Sequence, residues 1–223
     1  MINTIVVALR VTLFTLVLTG VAYPLGTTGL AQALFSAKAN GSLVEQGGKV
    51  IGSELVGQGF SNPAYLQPRP SAAGEKGYDA TASSGSNLGT TSQKLKDRIT
   101  QDLERLKAEN PDAPGDVPDE LVTTSASGLD PHLSPEAARW QIPRIAKARR
   151  VAPERIRATL DAYVENRDFG VLGEPRVNML NVNLAIDRQF GQPAPAPTPA
   201  PPNSAQRPGG SAPVAGAPAP TPK

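Results

Sequence analysis

The chain has 223 residues, with 22 basic side chains against 20 acidic ones, and a formal net charge of +2 gives no electrostatic reason to expect a nucleic-acid partner. It has no cysteine and one histidine, His132, which excludes a disulfide framework, a zinc ribbon, a thiol nucleophile and nearly every imidazole-based metal site. Aromatic residues make up 4%, too few for a platform that stacks bases or sugars.

In chain order, the first segment, residues 1–38, carries an uncharged run of 25 residues from Val11 to Phe35. About 20 apolar residues at 1.5 Å rise cross a hydrocarbon core of roughly 30 Å, so the run predicts a single transmembrane helix within about 5–30. Gly20 and Pro24 are tolerated in such spans. A cleaved signal peptide is the alternative, with Arg10 as its basic region and Ala31-Gln32-Ala33 as the cleavage site. Arg10 precedes the span and few basic residues follow it closely, so the N-terminus is expected in the cytoplasm and the bulk of the chain outside it.

Residues 39–190 can bury one core. Lys49–Gly57 reads as a short strand bounded by glycine. Ser92 opens a helix with Leu95, Ile99, Leu103 and Leu106 on one face, stopped by Asn110-Pro111. Ser134-Pro135-Glu136 starts a second helix, which Pro143 breaks or kinks. Pro153-Glu154 opens a third, with Ile156, Leu160 and Val164 on one face, closing at Phe169-Gly170. Val177–Ile186 alternates apolar residues with Asn, which predicts a last strand with a helical turn at its end as the alternative. Strand, helices and strand make an α+β domain. The remainder, residues 191–223, holds 11 prolines and 4 glycines and is expected to be a disordered linker.

Residue chemistry alone points to no active site. The segment from Thr123 to Ser134 gathers hydroxyls, Asp130 and His132, but a serine hydrolase takes its base from a separate segment and no G-x-S-x-G occurs. Gly85–Gly89 lacks the lysine of a phosphate-binding loop. The basic run Arg144, Lys147, Arg149, Arg150, Arg155 and Arg157 reads as a solvated helix face, with an acidic partner or lipid headgroups as alternatives.

Several strings nevertheless resemble one family in order. They include Tyr65-Leu66-Gln67-Pro68-Arg69-Pro70-Ser71-Ala72, Ser84-Gly85-Ser86-Asn87-Leu88-Gly89, Ser125-Ala126-Ser127-Gly128-Leu129-Asp130-Pro131-His132-Leu133-Ser134 and Gln141-Ile142-Pro143-Arg144-Ile145-Ala146-Lys147-Ala148-Arg149. With Gly173-Glu174-Pro175-Arg176-Val177-Asn178, they are similar to the C subunit of the bacterial Kdp potassium-transporting P-type ATPase. The resemblance covers roughly residues 5–190 and implies a retained single-pass anchor in the inner membrane carrying a periplasmic α+β domain. It implies three partners, a channel-like potassium-binding subunit, the P-type ATPase subunit and a small single-helix subunit. It implies a catalytic chaperone that raises the ATPase subunit's affinity for ATP while having no catalytic residues of its own. Ser125, Ser127, Gly128 and Asp130 are the nucleotide loop by that resemblance. The expected topology puts the same loop where ATP is scarce, which favours a structural role: stabilising the complex, or covering the outer mouth of the potassium pathway. Oxygens around Gly85–Gly89 or Ser125–Gly128 would suit a hydrated potassium entrance. The other reading of the chain is a periplasmic binding module released from a signal peptide.

Overall fold

An apolar helical segment opens the chain and is far longer than a membrane requires. In the computed structural model, which describes residues 2–193, it runs from Ile2 to Ala39, or 38 residues and about 57 Å. It comprises α1 (Ile2–Val17), one π-turn (Leu18–Ala22) and α2 (Tyr23–Ala39). Pro24 lacks an N–H and its ring crowds the carbonyl of Gly20, so the helix widens locally where the ladder is interrupted. The hydroxyls of Thr15, Thr19 and Thr27 donate to the carbonyls of Val11, Thr15 and Tyr23, one turn back. These three hydroxyls thus find their acceptors within the helix, as a lipid environment favours. The helix kinks at Phe35, and Gln32 and Asn40 exchange two amide hydrogen bonds across the kink.

Next comes a hairpin, β1 (Leu43–Gln46) and β2 (Lys49–Ser53), antiparallel with an irregularity between Val44 and Glu45. The strand expected over Lys49–Gly57 therefore ends at Ser53. The Ser53 hydroxyl donates to the Gly41 carbonyl and accepts from the Leu55 N–H, turning the chain. Residues 54–92 then cross the domain without regular structure, yet Ala64, Leu66 and Ala73 on this stretch are fully buried.

The second half supplies the core. Helix α3 (Gln93–Glu109) lies where the four-and-three spacing placed it, burying Leu106 and packing Ile99 and Leu103 at the core margin. Ser134 caps α4 (Pro135–Trp140) by accepting from the Ala137 N–H, and the chain breaks at Gln141 so that Pro143 sits in the first turn of α5 (Ile142–Arg149). Helix α6 (Pro153–Asp161) is shorter than expected: Val164 belongs to β4 (Val164–Glu165), not to the helix face, and Phe169-Gly170 is a turn. Strands β3 (His132–Leu133), β5 (Arg176–Asn178) and β4 form an antiparallel sheet in the order β3-β5-β4.

The last expected strand is corrected most. Only Arg176–Asn178 is extended, and Met179–Phe190 is a helix, α7. Asn178 caps it, its side-chain oxygen accepting from the Asn181 N–H. Met179, Val182, Asn183 and Ile186 fall on one helical face, and their burial outweighs the alternating pattern. Leu133, Trp140, Ile145, Ile156, Leu160, Val177, Met179 and Ile186 form one core with Leu66. Mixed helix and strand is therefore the observed class. The expected linker lies almost wholly outside the described residues.

Candidate functional site

The loop carrying Ser125, Ser127, Gly128 and Asp130 is held between two crossing segments. Gly128 has φ +68 and no room for a side chain: a Cβ there would lie 2.5 Å from the Ser84 carbonyl oxygen and 2.8 Å from the Ala73 nitrogen. Gly57 meets the other flank, where a Cβ would lie 2.6 Å from the Asp130 carbonyl oxygen. Its N–H donates to the Leu129 carbonyl at 2.7 Å. Two glycines thus let three stretches of backbone approach to bonding distance.

The polar groups of this loop bond inwards. The Ser127 carbonyl accepts from the Ser84 N–H and the Ser83 hydroxyl, each at 3.0 Å, and the Gly128 carbonyl accepts from the Ser71 hydroxyl at 2.6 Å. The Gly128 N–H donates to the Ser125 carbonyl, and the Leu129 N–H donates to the Ser127 hydroxyl. The Ser71 hydroxyl also accepts from the Tyr78 N–H, locking the Tyr78 ring, whose hydroxyl bonds to the Arg69 carbonyl. Burial pushes that phenol well above its ordinary range. Ser125 and Gly128 are buried, Asp130 is half-buried and Ser127 is exposed. The sequence-predicted residues are brought together, but as a knot.

Asp130 closes the loop. One carboxylate oxygen accepts from the His132 N–H at 3.0 Å and faces the His132 imidazole at 3.6 Å; the other faces the Arg69 guanidinium at 3.4 Å. The imidazole contact foremost, opposed by partial burial and joined by the His132 N–H and Arg69, holds the carboxyl below its usual range. A carboxylate kept ionised beside a loop repels a triphosphate. The depressed value also has a consequence for stability. The contribution of Asp130 is fully present above the unfolded carboxyl's pKa of about 3.9 and declines as the pH falls through the folded value. Asp130→Asn is expected to flatten the acid limb of the stability curve below about pH 4. Acid titration followed by circular dichroism reads this, and an unchanged acid limb would show that Asp130 adds nothing.

Two grooves lie beside the knot. One of about 520 Å³ is lined by Arg69, Tyr78, Arg105 and Gln141; the other, about 650 Å³, lies between Gly85-Ser86 and the Lys94, Arg98 and Gln101 face of α3. None of Ser125, Ser127, Gly128 and Asp130 lines either groove.

A second polar seam went unnoticed in the sequence. The backbone of Leu66 exchanges two hydrogen bonds with the Asn183 amide, and that of Gln67 two with the Gln141 amide, as a neighbouring strand would. Arg144, buried, donates to the carbonyls of Pro63 and Tyr65 and to Gln141 Oε1, and burial draws its pKa down to about 10. Arg149 pairs with Asp187 at 2.7 Å, with side chains 3% and 8% exposed, and lies 5.0 Å over the Tyr65 ring. Burial and the hydrogen bond that the phenol donates to Asp187 raise the Tyr65 pKa to about 12. The expected solvated basic face is therefore corrected at Arg144 and Arg149. Their planar forks replace the backbone partners that an irregular buried segment lacks.

The strings at residues 65–72, 125–134 and 141–149 thus meet in space as one framework. Residues 5–188 match the family model described as "K+-transporting ATPase, c chain". A relative from Myxococcus xanthus named potassium-transporting ATPase KdpC subunit is 65% identical over 192 residues, covering 86% of this chain and 90% of its own. Relatives of the same name from Rhodospirillum rubrum and Methylobacterium nodulans are 54% and 53% identical, with 78% of this chain and 89% and 92% of theirs covered. A family match over residues 5–188, with relatives 53–65% identical over most of their own length, leaves one assignment: the chain belongs to the KdpC family, the c chains of K+-transporting ATPases.

Proposed function

We propose that this chain is the non-catalytic, single-pass accessory subunit of an ATP-driven potassium importer of the inner membrane. Its N-terminus lies in the cytoplasm and its domain in the periplasm, consistent with the apolar helix and with Arg10 as the charged residue before its uncharged run. Its partners are the channel-like potassium-binding subunit, the P-type ATPase subunit and the small single-helix subunit. The domain stabilises the assembled complex beside the outer potassium pathway. Any gain in the ATPase subunit's affinity for ATP follows from assembly, without nucleotide touching Ser125, Ser127, Gly128 or Asp130.

The observation that carries this reading is the inward bonding of the 125–130 loop. Its N–H groups at Gly128 and Leu129 already donate within the loop, and its acid is held ionised, so the loop is poorly furnished for a phosphate. A released periplasmic module is disfavoured by the family match, which begins at residue 5 and so takes in the apolar segment. Membrane extraction tests the reading. The chain is expected to need detergent, to keep its N-terminal segment by Edman sequencing, and to bring the three partners with it. Recovery in a detergent-free periplasmic fraction, beginning after Ala33, contradicts it. Purified alone, the chain is expected to hydrolyse no ATP, because the sequence holds no P-loop.

A further inference from the structure

Outside the N-terminal helix, Phe169 is the most exposed large apolar side chain among the described residues, at 93%, followed by Val171 at 73%. With Leu172 at 58% they form the tip of a turn between β4 and β5. The turn is built, not loose. The Asp168 N–H donates to the Leu172 carbonyl at 2.8 Å, and the Leu172 N–H returns a bond to the Asp168 carbonyl at 2.9 Å. Its base is tied by ion pairs of Arg167 with Glu174, and of Arg176 with Glu165 and Asp168.

The backbone makes the choice of residue informative. Phe169 has φ +54 and Gly170 φ +76, so both central positions are left-handed, where Asn, Asp or Gly is favoured. A phenylalanine there is strained and gains no burial in return. Strain kept at an exposed apolar tip points to an anchor for something outside the chain. The surrounding charge indicates what. Three carboxylates face two guanidiniums, all paired, so no basic excess is present to draw the tip to anionic lipid headgroups. Three carboxylates against two guanidiniums leave the base with one net negative charge, so a protein pocket of apolar floor and weakly basic rim fits both the tip and its base.

We infer that the Phe169–Leu172 turn is the anchor by which this domain docks into an apolar pocket on the extramembranous surface of another chain of the same ATPase. The inference rests on the reading of this chain as a subunit of that complex. Phe169→Asn tests it, because Asn suits the left-handed position better than Phe. The variant's own thermal midpoint is therefore expected to hold or rise while its affinity for the rest of the complex falls at least tenfold. Full-length variant and wild-type chains are titrated, in detergent, into complex prepared without this subunit. Equal affinities overturn the inference while leaving the subunit reading intact; a wild-type chain that does not bind removes both. In a second measurement, Phe169→benzoylphenylalanine in the whole complex, irradiated in membranes, is expected to cross-link to another chain of the ATPase. A phospholipid adduct, or none, overturns the proposal.

Discussion

Asp187→Ala is expected to destabilise the domain by about 3–5 kcal/mol, because it leaves the Arg149 guanidinium buried and unpaired. The same change removes the acceptor of the Tyr65 phenol, adding a second unsatisfied group to the seam. At about 2–4 °C per kcal/mol for a domain of this size, the thermal midpoint falls by roughly 6–20 °C. Replacing both charges together, Arg149→Met with Asp187→Leu, is expected to cost less than Asp187→Ala alone, since no lone charge is then left inside. Thermal melts of the two variants and the wild type check this. A loss of under about 1 kcal/mol for Asp187→Ala, the range of an exposed pair, would show that the pair is solvated.

Gly128→Ala carries the second large effect. The left-handed backbone alone costs a residue with a Cβ about 1–2 kcal/mol. The added atom also lands on backbone at Ser84 and Ala73, which cannot swing aside as a side chain could. The segments that would have to move are those bonded to Ser127 and Gly128, so relief of the clash breaks the knot. A total of about 3 kcal/mol or more is expected, with faster proteolysis within residues 71–85. Ser127→Ala, by contrast, removes one hydroxyl on an exposed residue and is expected to cost about 0.5–1.5 kcal/mol. Denaturant unfolding of both variants separates the readings: if the loop served a ligand rather than the fold, Gly128→Ala would leave stability near wild type.

Helical elements with a clear stripe or cap were legible in the sequence. The Leu95–Leu106 spacing, the Ser134-Pro135 start and the break at Pro143 each have a local cause, and each lies where that cause puts it. The run after Val177 was not, because Val-Asn-Met-Leu-Asn-Val-Asn alternates over a few residues and repeats at helical spacing over many. What decides is Asn178 capping the helix and Asn183 bonding to Leu66, a partner 117 residues away. Arg144 and Arg149 looked solvated for a similar reason. A charged residue's burial depends on carbonyls and a carboxylate contributed by segments that sequence spacing cannot bring together. Ser125, Ser127, Gly128 and Asp130 were singled out by resemblance, and the structure does gather them. That they bond to Ser71, Ser84 and Arg69 follows from a fold in which an irregular stretch of chain needs side chains and loops as its hydrogen-bonding neighbours.

Whether the 125–130 loop braces the domain or holds nucleotide is read from the assembled complex. The complex is assembled with Ser127→Ala and Asp130→Asn together, and the apparent affinity for ATP is measured per assembled complex alongside the yield of assembly and the potassium response. Yield or potassium response is expected to fall while ATP affinity stays within about twofold of wild type, a difference below about 0.5 kcal/mol. A loss of ATP affinity of tenfold or more in a complex that is otherwise intact would contradict the bracing role.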